Sequence, residues 1–263
     1  MLDLDSPRWG NLHHAHGPAS DLPDMLRRLP EGVDAIDGVL FGSICHQGSV
    51  FSASYAAMPH LCHAAARTPS AEWRGRILSV MGAIHASTDF RGGDAPADVR
   101  AWYRDAIAPA RDLAIATLQE PLDRLTAIYL LEAAAALQGH LGLGRVLSGF
   151  AGEEFSLSCQ HCAIDLYVWP TTDGLSVAAD DPVFHPGTPR TSTMPGPVSG
   201  STQEPAYSWI TPLVLTAPSL GRIAPLLPHL FGTATCPACH TSFTLVDRLA
   251  EEAGVEPHSM GPS

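Results

Sequence analysis

Two Cys-x-x-Cys pairs constrain the fold of this chain more than any other feature. One lies in SCQHC (158–162) and the other in TCPAC (235–239), with the 73 residues 163–235 between them. A Cys-x-x-Cys turn lets two thiolates face one ion, and two such turns complete the tetrahedron of N or S ligands that zinc prefers. Each turn leads into a strand-like run, CAIDLYV (162–168) and CHTSFTLV (239–246). That is the pattern of a zinc ribbon, and a thioredoxin-like redox pair needs a helix after the motif instead. Energetics agree. Closing a loop of this length costs about 4 kcal/mol beyond the constant part, whereas a structural zinc site supplies about 10–16 kcal/mol apparent. Cys159, Cys162, Cys236 and Cys239 are therefore the candidate metal ligands, with Zn2+ as a structural ion. Four thiolates leave no open coordination position for chemistry. His161 and His240 flank the ligands and are the alternatives to one cysteine. Cys45 and Cys62 fall in apolar helical runs and read as small buried hydrophobes.

The N-terminal half has a different periodicity. Six helices are expected over 21–139, in DLPDMLRRL (21–29), 32–46, 50–67, 70–87, 97–120 and 121–139. Asp21 and Ser70 are placed to cap, Gly48 and Gly139 to terminate, and Pro59 and Pro109 to kink or break. Short connections make sequence neighbours antiparallel hairpins. After 149 the pattern turns strand-like, over 155–170 and again over WITPLVLTA (209–217). A short helix is expected at 219–232, and LVDRLAEEA (245–253) closes the chain as a helix. Residues 182–205 are rich in Pro, Gly, Ser and Thr and read as a flexible insert. The expected organisation is a helical domain at 1–148, a zinc-ribbon-like module at 149–254 and a disordered tail at 255–263.

Charge narrows the partners. The 263 residues carry 15 basic side chains, all arginine, against 27 acidic ones, a formal net charge of −12. Nucleic acid is a poor match for such a surface, and a basic protein a better one. No apolar run is long enough to span a membrane and the N-terminus lacks a signal-peptide core, so the expected location is cytoplasmic, where paired cysteines favour metal over disulfide.

A second group of residues attracts notice. His13, His14 and His16 cluster in NLHHAHG, followed by His46, His60 and His63. His60 and His63 are three apart, within reach of one ion if helical. A metal-dependent enzyme built on these rings is the alternative functional reading, although no His-Glu-x-x-His or related signature occurs. The run CHQGSVFSASYAAMPHL (45–61) reads first as an ordinary helix junction at Gly48–Ser49. A sharper reading makes His13, His16, His46, Gln47 and Phe51 a recognition surface at the hairpin tip.

WGNLHHAHGPASDLPDMLRRL and ICHQGSVFSASYAAMPHL resemble the N-terminal part of bacterial HEAT-repeat-like proteins, and GEEFSLSCQHCAIDLYV with LFGTATCPACHTSF resembles the Cys-pair tail some members carry. Ala163 and His240 stand where glycine is commoner after the second cysteine, which bears on the turn geometry. The resemblance implies a mainly α fold of stacked antiparallel helix pairs and a non-catalytic role as a protein-binding scaffold. The acidic charge makes an adaptor, or an immunity-type protein that neutralises a basic toxin, one instance of that role.

Overall fold

The computed structural model describes residues 1–31, 34–87, 89–90, 95–179, 192–198 and 204–254. The fold is mainly α with small sheets, in two compact units that divide between Gln138 and Gly139. The boundary expected at 148/149 falls inside the second unit. The expected tail, 255–263, lies outside the described residues.

The first unit opens with a 3-10 turn at Pro7–Asn11 and a small hairpin, β1 (His13–His14) and β2 (Gly17–Pro18). Six helices follow: α1 (Leu22–Arg28), α2 (Asp34–Ile44), α3 (Ser52–Arg67), α4 (Ala71–Ala86), α5 (Ala97–Thr117) and α6 (Arg124–Leu137). Two-residue strands β3 (Ser49–Val50) and β4 (Asp89–Phe90) pair in parallel. Ser70 caps α4 as its sequence indicates, accepting from Trp73 N–H at 3.2 Å. Asp21 does not cap α1; its carboxylate meets His14 Nε2 at 3.0 Å instead. The start of α6 is set by Asp123, which accepts from the N–H groups of Leu125 and Thr126.

The expected break at Pro59 does not occur: α3 runs unbroken through it, as α5 does through Pro109. Both rings line a cavity of about 390 Å3 beside Cys62, His63, Trp102 and Asp105. Packing of α3 against α5 outweighs the one backbone hydrogen bond each proline removes.

The helices pack in two layers. α3 lies beside α5, α4 beside α6, and α3–α4 and α5–α6 are consecutive pairs in contact. Glycines reveal how closely α4 meets α6. A Cβ on Gly75 would fall 2.6 Å from Thr126 Cγ2, and one on Gly82 would fall 2.3 Å from the Cα of Ala133. Each helix advances seven residues between these meetings, in the same direction, so α4 and α6 are parallel. Ile77, Leu78, Met81, Leu130, Leu131 and Ala134 are all buried at this layer.

The second unit begins with a 3-10 turn at Leu143–Arg145 and the single turn α7 (Gly149–Gly152). A four-stranded antiparallel sheet follows in the order β5 (Phe155–Ser158), β6 (Asp165–Thr171), β7 (Gly174–Ala178), β8 (Ser192–Thr193). β7 is buried along its whole length. The strand expected at 209–217 is instead part of a helix, α8 (Pro205–Thr216). Glu204 caps it by accepting from Tyr207 N–H, Pro205 occupies its first turn, and Ala206, Ile210 and Val214 form its buried stripe at four-residue spacing. Glu204, Pro205 and Ala206 lie upstream of the apolar run that suggested a strand. The run 219–232 splits into a 3-10 turn at Ala224–Leu226 and the short α9 (Leu227–Leu230). A hairpin, β9 (Thr233–Thr235) and β10 (Ser242–Thr244), leads into α10 (Leu245–Glu252), and Gly254 follows at φ 78°.

The flexible insert expected at 182–205 is corrected in part. Residues 192–198 are ordered by pairing with β7 and with β9, through Gly196 N–H to Thr233 O at 2.9 Å and Thr193 Oγ1–H to Thr235 O at 2.6 Å. This segment links the sheet that contains the first cysteine hairpin to the second hairpin. Residues 182–191 and 199–203 lie outside the described residues.

Candidate metal centre

Each Cys-x-x-Cys is the tip of an antiparallel hairpin, the first between β5 and β6, the second between β9 and β10. The two tips are built alike. Ser158 opposes Asp165 and Thr235 opposes Ser242, so each first cysteine follows the last paired residue. Cys159 N–H donates to Ile164 O and Cys236 N–H to Thr241 O, both at 2.9 Å. Ala163 N–H donates to Cys159 O at 2.8 Å and His240 N–H to Cys236 O at 3.0 Å. These bonds force Ala163 and His240 into left-handed backbone, at φ 56° and 60°. Both positions therefore carry the conformation that glycine adopts without strain, and both turns close without glycine.

The result is a cluster in which all four sulfurs lie within 4.8 Å of one another. Across the two hairpins, Cys159 Sγ is 3.6 Å from Cys239 Sγ and Cys162 Sγ is 3.8 Å from Cys236 Sγ. Ligands about 2.3 Å from a tetrahedral ion stand about 3.8 Å apart. A disulfide needs about 2.05 Å, and all four are free thiols. The donor set and spacing fit a closed site for a thiophilic divalent ion.

Electrostatics point the same way. Hydrogen bonds from the hydroxyl and backbone N–H of Thr241 pull the Cys239 thiol down to about 6, with the neighbouring thiols adding to the effect. At Cys162 the Ile164 N–H favours the thiolate, but burial and hydrogen bonding with the other three thiols outweigh it and hold the group at about 12. Four sulfurs this close resist carrying four charges, and a bound dication removes the conflict.

Side chains that support the site gave little signal in sequence. Arg248 of α10 donates from Nε to Ser158 O at 3.1 Å and pairs with Glu251 and Glu252 at 3.0 and 2.6 Å. Gln160 donates to Glu251. This network pins α10 against the first hairpin. Only the amphipathic pattern of LVDRLAEEA, with Leu245, Val246, Leu249 and Ala250 buried, hinted that α10 docks. A cavity of about 260 Å3 lies beside the site, lined by Cys159, Gln160, His161, Phe243 and Arg248 among others. His161 and His240 are exposed and outside the four-sulfur cluster.

The N-terminal histidines are brought together only in part. His16 lies 5.7 Å from His14 and 5.8 Å from His46, ring centre to ring centre. His14 spends both nitrogens internally: Nδ1 accepts from His16 N–H at 3.0 Å and Nε2 meets Asp21. His60 is buried and its Nε2 donates to Leu2 O at 2.8 Å. His46 Nδ1 donates to Gly42 O at 3.2 Å. Among the described residues, the four cysteines alone form a group of three or more His, Cys, Asp or Glu with converged ligand atoms.

The surface expected at the hairpin tip is locally well defined. His46 and Ser49 exchange both backbone hydrogen bonds across Gln47 (φ 51°) and Gly48 (φ 81°), a tight two-residue turn. The expected junction is thus a turn followed by β3, rather than one helix passing directly into the next. Ser54 Oγ accepts from Phe51 N–H at 2.8 Å and donates to Ile44 O at 2.6 Å, joining the end of α2 to the start of α3. Ser52 Oγ accepts from His13 N–H at 2.9 Å. His13, His16, His46 and Gln47 are exposed and Phe51 is half-buried.

No family model, no curated protein and no solved structure matches this chain. Among the described residues, no helix is long and apolar enough to cross a membrane.

Proposed function

We propose that Cys159, Cys162, Cys236 and Cys239 hold one structural zinc ion in a zinc-ribbon-like module, and that the helical unit is a HEAT-like, non-catalytic scaffold that binds another protein. The observation that carries the metal half is the convergence of four sulfurs within 4.8 Å at the tips of two hairpins with matching hydrogen bonds. Bound there, the ion would cross-link hairpins 73 residues apart in sequence and supply no reactive position.

The two-layer arrangement supports the HEAT-like half. Hairpin α3–α4 stacks on hairpin α5–α6 with α4 and α6 parallel, which is how helical repeats propagate. Leu125 and Tyr129, 50% and 46% exposed, border a cavity of about 490 Å3 on α4 and α6 and offer apolar contact to a partner. The turn bearing His46 and Gln47, with His13, His16 and Phe51, offers polar contact. A net charge of −12 favours a basic partner, in the manner of an adaptor or an immunity-type protein, in the cytoplasm.

Elemental mass spectrometry of the purified protein tests the metal half, alongside Cys159→Ser and Cys236→Ser. One zinc per chain, lost in both variants, is expected. Absence of metal would refute the site. A second metal that survives both substitutions would move the histidines to the front and favour an enzyme. For the scaffold half, partner affinity should fall steeply as salt rises, and salt-independent binding would refute the charge argument.

A further inference from the structure

The four sulfurs are not equivalent. Cys159 and Cys236 are 3% and 0% exposed, Cys239 is half-buried, and Cys162 is exposed. With zinc bound all four sulfurs are thiolates, and burial blocks attack, so the exposed Cys162 is the sulfur most open to an oxidant. Cys236 Sγ lies 3.8 Å away, across the hairpins.

The geometry points to Cys162 as a site of oxidation by hydroperoxides, resolved by Cys236 into a disulfide that links the two hairpins and expels the metal. The inference rests on the zinc reading above. In the first step the Cys162 thiolate attacks one oxygen of hydrogen peroxide; the S–O bond forms, the O–O bond breaks, and the leaving hydroxide takes a proton to become water. In the second, the Cys236 thiolate attacks the sulfenic sulfur; the S–S bond forms, the S–O bond breaks, and the departing hydroxide takes a second proton. Two thiolates are thereby oxidised by two electrons, and one peroxide becomes two waters. Cys159 and Cys239 remain as two ligands, too few for a closed zinc site. The sulfurs must close from 3.8 Å to about 2.05 Å, a movement the hairpin tips have to make. Because both cysteines of a pair are drawn from different hairpins, the bridge holds the tips together after the ion leaves.

The test uses the full-length protein after zinc loading and removal of excess metal. Hydrogen peroxide is added in substoichiometric steps while released zinc is read with a chromogenic chelator, and thiols are mapped by differential alkylation and mass spectrometry. One zinc should be released per peroxide consumed, with Cys162 and Cys236 lost together and joined in one cross-linked peptide. A dione trap should label Cys162 before any other cysteine, in the unsubstituted protein, so the result does not depend on whether a Cys162 variant folds. Thiol reductant and fresh zinc should restore the metal content. Zinc retained under peroxide, or first oxidation at Cys239, Cys45 or Cys62, or a bridge within one Cys-x-x-Cys, would overturn the inference. A protein that never takes up zinc would instead overturn the reading on which it rests.

Discussion

Replacing Gly82 by alanine should destabilise the helical unit, although alanine is the better helix former. The methyl would lie 2.3 Å from both the Cα and the Cβ of Ala133. Carbon atoms rest about 3.5–4.0 Å apart, so α4 and α6 must separate by about 1.2–1.7 Å. A gap of half that size already forfeits a quarter to a half of each dispersion contact, across an interface where Ile77, Leu78, Met81, Leu130 and Leu131 are fully buried. Overpacking of backbone on backbone costs about 3 kcal/mol, and the intrinsic gain of Gly→Ala in a helix returns about 1 kcal/mol. The net loss is about 2 kcal/mol. Gly42, in α2, is the control: a Cβ there meets nothing within 4 Å, so Gly42→Ala should gain about 0.5–1 kcal/mol. Urea unfolding followed by far-ultraviolet circular dichroism compares the two. Opposite signs are expected. A Gly82→Ala protein as stable as the parent, or more so, would refute the close parallel packing of α4 on α6.

Ala163→Gly and His240→Gly should each stabilise the zinc-loaded protein by up to about 1 kcal/mol, since each relieves left-handed strain of roughly that size less the entropy glycine adds to the unfolded chain; a thermal melt checks this. Burial raises the Glu72 carboxyl above its ordinary range, while for Asp123 burial is outweighed by hydrogen bonds from Thr126 and Glu72, which hold it at about 2. A raised carboxyl stabilises at low pH and loses that contribution as pH rises through its folded pKa, so Glu72→Gln should gain a few tenths of a kcal/mol at neutral pH and nothing in acid. Burial depresses the pKa of His60 and of His85, whose Nδ1 meets the Tyr103 hydroxyl at 2.5 Å. Their contribution is full above the unfolded value of about 6.5 and declines as pH falls below it toward the folded values, so denaturation midpoints should drop over that range in the parent and less in His85→Gln.

The sequence by itself determined which four sulfurs can converge and most helices. Cys159, Cys162, Cys236 and Cys239 were legible because a two-residue spacer is a local geometric statement: whatever the rest of the chain does, those thiols face one way. The boundaries of α4 and α10 were legible for the same reason, since Ser70 and Gly254 act within one turn of themselves. Where a segment's character was set by what it packs on, local reading failed. The run 209–217 looked like a strand because its apolar residues are crowded, and only burial at Ala206, Ile210 and Val214 shows the helical stripe. Pro59 and Pro109 stay within unbroken helices because neighbouring helices hold them. Residues 192–198 have the composition of a linker, yet their backbone groups are claimed by β7 and β9. The pairing of α4 with α6, the clamp of Arg248 on Ser158 and the unequal exposure of the four sulfurs all join residues tens of positions apart. Spacing along a chain fixes which atoms share a turn. Only the packed structure decides which of them meet across it, because those contacts depend on surfaces that exist only once the layers have closed.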